Sequence, residues 1–69
     1  MAINEKIRMA LAKTNMSEAE LARRFGKTPQ AFNQRMKTGK FTEKELEQIA
    51  IIIGCEYSAT FSFSDGTVI

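Results

Sequence analysis

The 69-residue sequence has no histidine and a single cysteine. Without histidine, proton transfer near neutral pH would need strongly shifted carboxylates or lysines, which disfavours general acid–base catalysis. Gly-rich phosphate loops, Cys/His metal clusters and nucleophile–base patterns are missing as well. The expectation is a protein that is not an enzyme, with no cofactor, no metal and no small-molecule ligand. One cysteine cannot form an internal disulfide, so nothing argues for secretion. Cys55, just past a helix stop, reads as a small core hydrophobe rather than a redox thiol. The longest apolar run, Ile49–Ile53, is far short of the roughly 20 residues that span a bilayer. Charges interrupt the opening MAINEKIRMA, so no signal peptide is expected and the expected location is the cytoplasm.

What is present is an ordinary globular composition. At 43% hydrophobic and 26% charged residues, it excludes a disordered chain. The length allows one folded unit with a core near the lower limit of what folds unaided. Net charge is only +2, yet it is unevenly placed. Residues 1–40 hold nine Lys and Arg against three Glu, a net +6, and residues 41–69 hold one Lys against five acids, a net −4. A basic first part suits a polyanion, and an acidic remainder suits a different task.

Ile3, Ile7, Ala10, Leu11 and Thr14 recur at three- and four-residue steps and predict an amphipathic helix over 4–14, stopped at Asn15. The second helix has a full start signal. Ser17 and Glu20 fit a capping box, and Met16 and Leu21 fit a hydrophobic staple. Leu21, Ala22 and Phe25 form its inner face, and Gly26 permits a sharp turn. Thr28 as N-cap and Pro29 at the first helical position open a third helix, about 29–38, that stops at Gly39. Phe32 and Met36 point to one side of it, and Gln30, Asn33, Gln34 and Lys37 to the other. The fourth helix repeats the start grammar, with a Thr42–Glu45 box and a Phe41–Leu46 staple, and stops at Gly54. Leu46, Ile49, Ala50 and Ile53 make its inner stripe. Ile51 and Ile52 fall off that stripe and need cover.

From Cys55 the period changes to two. Cys55, Tyr57, Ala59, Phe61 and Phe63 alternate with Glu56, Ser58, Thr60 and Ser62, which predicts a half-buried strand. Asp65–Gly66 predicts a hairpin turn, with Thr67–Ile69 as a short return. The expected organisation is one helical domain over 1–54 followed by a C-terminal β-hairpin over 55–69 that serves as a dimerisation arm.

Two short helices meeting at a sharp turn, with an apolar shared face and a polar outer face on the second, are the requirements of a helix-turn-helix DNA reader. The bland alternative is a helical hairpin whose outer face is polar because it is wet. Gln and Asn can make bidentate contacts to adenine, each worth on the order of 1–3 kcal/mol of discrimination. Gln30, Asn33 and Gln34 are therefore the candidate base readers, and Arg23, Lys27, Lys37 and Lys40 the candidate phosphate contacts.

The stretch MSEAELARRFGKTPQAF resembles the helix-turn-helix of transcriptional regulators of the phage-repressor, Cro and Xre type. The resemblance runs from Ile3 to about Gly54, and the chain is similar to small bacterial Xre-like proteins that end in a short β segment rather than a ligand-sensing domain. It implies a mostly α, compact four-helix, lambda-repressor-like domain with the third helix in the major groove of double-stranded DNA. Thr28 and Gln30 would stand at the groove entrance, with Asn33 and Gln34 one turn further on. Lys37 and Lys40 would face phosphates. The sequence departs from the family at two places. Glu18 stands where Gln often bonds a phosphate, and Arg35 stands where an apolar residue is usual, which leaves the packing there to Met36.

The unpaired length of the predicted strand invites a second strand. Two copies could pair across a two-fold axis through Ile51, Ile52, Tyr57, Ala59, Phe61 and Phe63, making a homodimer that presents two recognition helices. Alternatively the hairpin folds back on its own fourth helix. The rival function is a protein-interaction module of the same fold that does not bind DNA, supported by Glu18 and the modest net charge.

Overall fold

The computed structural model describes residues 2–69, so Met1, where the expected first unit begins, lies outside the described residues. Four helices follow one another: α1 (Ile3–Thr14), α2 (Glu18–Arg24), α3 (Pro29–Thr38) and α4 (Glu43–Ile53). The chain is mostly helical.

Each boundary has a local cause. Asn15 ends α1 in the left-handed region at φ 57°, and the N–H groups of Asn15 and Met16 turn back onto the carbonyls of Ala12 and Leu11. The Ser17 hydroxyl caps α2 by accepting from the Glu20 N–H at 3.0 Å. The reciprocal half of the expected box is not made, because the Glu20 carboxylate turns along the helix to Arg23 and Arg24 instead. At α4 both halves are present: Glu45 N–H donates to Thr42 Oγ1 at 3.1 Å, and Thr42 N–H donates to Glu45 Oε1 at 2.8 Å. Thr28 caps α3 by accepting from the Ala31 N–H at 3.2 Å, with Pro29 in the first turn. Gly26 takes φ 85° with no atom near enough to forbid a side chain, so backbone conformation alone selects glycine at the α2–α3 turn.

The core lies where α2 packs on α3 and α4, and α4 on α1. Leu21, Ala22, Phe32 and Met36 are fully shielded, joined by Ile7, Leu11, Leu46, Ile49, Ala50 and Ile53. Phe32 is central. Its ring meets Phe25 edge-on at 5.6 Å and Phe41 at 5.9 Å. Met16 and Phe41, the two staple residues, pack against this cluster. Asn4 Nδ2 donates to the Met36 carbonyl at 3.0 Å and so ties the start of α1 to the last turns of α3.

After Gly54 the structure departs from expectation. The strand predicted over Cys55–Phe63 does not form, and no sheet is present among the described residues. A lone antiparallel bridge joins Ser62 to Val68, flanked by bonds from Ile69 N–H to the Phe61 carbonyl and from Phe63 N–H to the Thr67 carbonyl. The reason is the length mismatch: three returning residues can pair with only three, and Cys55–Thr60 have no partner strand. Cys55 is exposed rather than in the core: it follows the left-handed Gly54, beyond the inner stripe that ends at Ile53, and its N–H turns back onto the Ala50 carbonyl. Ile52 and Tyr57 find cover within the chain, half-buried against the core. Ile51 does not, and remains 78% exposed.

Candidate nucleic-acid interface

The two sides of α3 are cleanly divided. Phe32 and Met36 have no exposed surface, while Gln30, Asn33, Gln34 and Lys37 are all exposed. Residues spaced three, four and seven apart fall on one side of a helix, so these four form one stripe. The buried side fixes how α3 is seated, and through it where the stripe points. Met36 carries the packing that Arg35 could not, in line with the sequence reading.

Arg35 has another task. Its Nη2 donates to Glu45 Oε1 at 2.5 Å and to the Lys40 carbonyl at 3.0 Å, and its Nε reaches the same carbonyl at 3.2 Å. Its guanidinium also lies 5.1 Å from the centre of the Phe41 ring. A side chain expected to be apolar is thus a clamp over the α3–α4 turn. Aromatic contact below and carbonyl and carboxylate acceptors around it suit a guanidinium, whose planar fork stacks and donates at once. The Glu45 carboxyl is held below the usual range, first by the Thr42 N–H and then by Arg35.

The candidate phosphate contacts differ in state. Lys37 and Lys40 are exposed and Lys27 is half-buried, with no ion pair recorded for them among the described residues. Arg23 is paired: its Nη2 donates to Glu20 Oε1 at 2.7 Å, and Arg24 Nε donates to Glu20 Oε2 at 2.8 Å. These bonds, that of Arg23 foremost, hold the Glu20 carboxyl below its ordinary range. Thr28 is exposed, but its hydroxyl already accepts the cap bond. Glu18 has one carboxylate oxygen buried without a partner.

The candidate dimer residues split into two groups. Ile51, Ala59, Phe61 and Phe63 are exposed, whereas Ile52 and Tyr57 lie half-buried against their own core. Two side chains near the candidate residues hold partners that the sequence does not reveal. Glu20 fits a cap by its spacing from Ser17, and the arginines three and four residues on offer an equal claim. Arg35 stands out in the sequence only as a departure, because its partners Lys40 and Glu45 become neighbours only once the α3–α4 turn is formed.

Among the described residues, no helix is long and apolar enough to cross a membrane, and no group of three or more His, Cys, Asp and Glu is placed to hold a metal ion. Comparison of the chain with known protein families, curated proteins and solved structures finds no match.

Proposed function

We propose that the chain is a helix-turn-helix protein of the phage-repressor, Cro and Xre type, binding double-stranded DNA as a homodimer and regulating transcription. The observation that carries this reading is the division of α3, with Phe32 and Met36 sealed in the core and Gln30, Asn33, Gln34 and Lys37 exposed opposite them. A rigidly seated helix with amides on its free side is suited to base edges in the major groove. In this reading Gln30, Asn33 and Gln34 read bases, with Thr28 at the groove entrance. Arg23, Lys27, Lys37 and Lys40 hold phosphates.

The tail supports the dimer. Side chains alternate across a ladder, so around the Ser62–Val68 bridge the residues Phe61, Phe63 and Ile69 share one side. All three are at least half exposed, at 75%, 52% and 69%. Ile51 is exposed as well, which adds an apolar side chain of α4 to the surface open to a second copy. Selection of bound duplexes from a random DNA library tests the reading. It should enrich one two-fold symmetric sequence with half-sites about one helical turn apart. Recovery of no preferred sequence by folded protein would sink it.

One observation favours a second reading, a protein-interaction module of the same architecture that does not bind DNA. Glu18 and Glu20 place two carboxylates in the first turn of α2, and Glu20 engages Arg23, which a DNA reader would use on phosphate. That module shows no salt-sensitive DNA binding while folded.

A further inference from the structure

One carboxylate near the start of α2 engages two of the cations closest to the α2–α3 turn. Glu20 Oε1 accepts from Arg23 Nη2 at 2.7 Å, and Oε2 from Arg24 Nε at 2.8 Å. Glu20 stands three residues after the Ser17 cap, where a glutamate can close a box on the cap's own N–H. Glu45 does this at Thr42, and Glu20 does not. The helix gives up a capping bond and its carboxylate goes to two exposed arginines. Their side chains remain 59% and 55% exposed, and a guanidinium has five N–H donors, most of them free here. Both arginines therefore face solvent while one of their two charges is cancelled. Glu18 stands five and six residues before the two arginines, off the three- and four-residue spacing at which helix side chains pair.

We propose that Glu20 restrains non-specific DNA binding by occupying Arg23 and Arg24 in competition with backbone phosphates. The restraint rests on the DNA-binding reading given above. Phosphate contacts dominate non-specific affinity and carry no sequence information. On a preferred site, base contacts hold the protein against the backbone closely enough for a phosphate to displace the carboxylate. Random DNA has no such contacts, so there the carboxylate keeps both arginines. Glu20 thus widens the gap between preferred and random sites and lowers absolute affinity.

Glu20→Gln tests this, because it keeps the side-chain shape and the backbone N–H that Ser17 caps. Glu47→Gln is the control: it removes the same charge from an exposed position on α4 that forms no ion pair among the described residues. Binding to a random-sequence duplex is followed by fluorescence anisotropy over a salt series. Glu20→Gln should bind about fivefold tighter at low salt, with a salt dependence steeper by about one phosphate contact. Glu47→Gln should match the parent, and the library-selected duplex should gain less than the random one. Glu20→Ala, checked by circular dichroism for unchanged helix content, should repeat the effect. Equal behaviour of Glu20→Gln and Glu47→Gln, or weaker binding by Glu20→Gln, overturns the restraint while leaving DNA binding intact. Folded parent and variants that all bind no duplex overturn the DNA reading, and the restraint with it.

Discussion

Arg35 Nη2 and Glu45 Oε1 meet at 2.5 Å, joining α3 to the first turn of α4 across ten residues of sequence. The same glutamate oxygen accepts from the Thr42 N–H, so one carboxylate closes the α4 cap and anchors α3 together. The seating of α3 therefore depends on a charged pair as well as on Phe32 and Met36.

This pair predicts the acid behaviour of the fold. The Glu45 carboxyl is depressed on folding, first by the Thr42 N–H and then by Arg35. A depressed carboxyl adds stability at neutral pH, and the contribution fades as pH falls below the ordinary glutamate value of about 4.3 toward the folded one. Glu45→Gln should be less stable than the parent at neutral pH and lose less on acidification. Glu20, shifted the same way by Arg23 and Arg24, preserves part of the acid loss. Thermal unfolding across that pH range checks this; parallel curves for parent and variant would remove the pair from the stabilising contacts.

Thr28 holds the start of α3 by its cap bond to the Ala31 N–H. Thr28→Ala should cost about 1 kcal/mol in urea unfolding, and Thr28→Ser should stay close to the parent. An alanine variant as stable as the parent would mean that the cap contributes nothing.

Gln34 and Lys37 share the exposed stripe and should fail differently. Gln34→Ala should lower preference for the library-selected site by about 1–3 kcal/mol with little change on random DNA. Lys37→Ala should weaken both and flatten the salt dependence by about one contact. Equal losses on both duplexes for Gln34→Ala, or an unchanged salt slope for Lys37→Ala, would remove the residue concerned from its role.

Phe61 is 75% exposed and outside the core, so Phe61→Asp should keep its helical circular dichroism. The parent should sediment as a dimer and the variant as a monomer. A dimer that survives the substitution rules out pairing through the tail.

The helices were legible because their signals are local. Ser17, Thr28 and Thr42 as caps, Asn15, Gly39 and Gly54 as stops, and the two sides of α3 all stand where periodicity and cap chemistry put them. The exposed stripe Gln30–Lys37 was legible for the same reason. What the sequence hides is competition between partners. Glu20 can serve a cap or two arginines, and spacing does not decide between them. Arg35 looks misplaced until the turn at Gly39 brings Lys40 and Glu45 around it. Alternation after Gly54 marks a chain able to form a strand, but a strand also needs a partner along its length, and Thr67–Ile69 is too short to supply one.

The segment Ser58–Ile69 has a thermodynamic consequence of its own. Every residue in it is exposed, so the isolated chain holds this segment with almost no apolar burial. Fixing each backbone unit costs roughly 1–2 kcal/mol of conformational entropy, and one bridge between Ser62 and Val68 does not offset that. In the proposed homodimer, burying Phe61 and Phe63 against a second copy would hold the tail in place in the same event. Such an association is weaker than its buried area suggests and carries a large negative heat-capacity change. In the proposed homodimer its extent would follow protein concentration, and the amount of protein would govern when two copies act together.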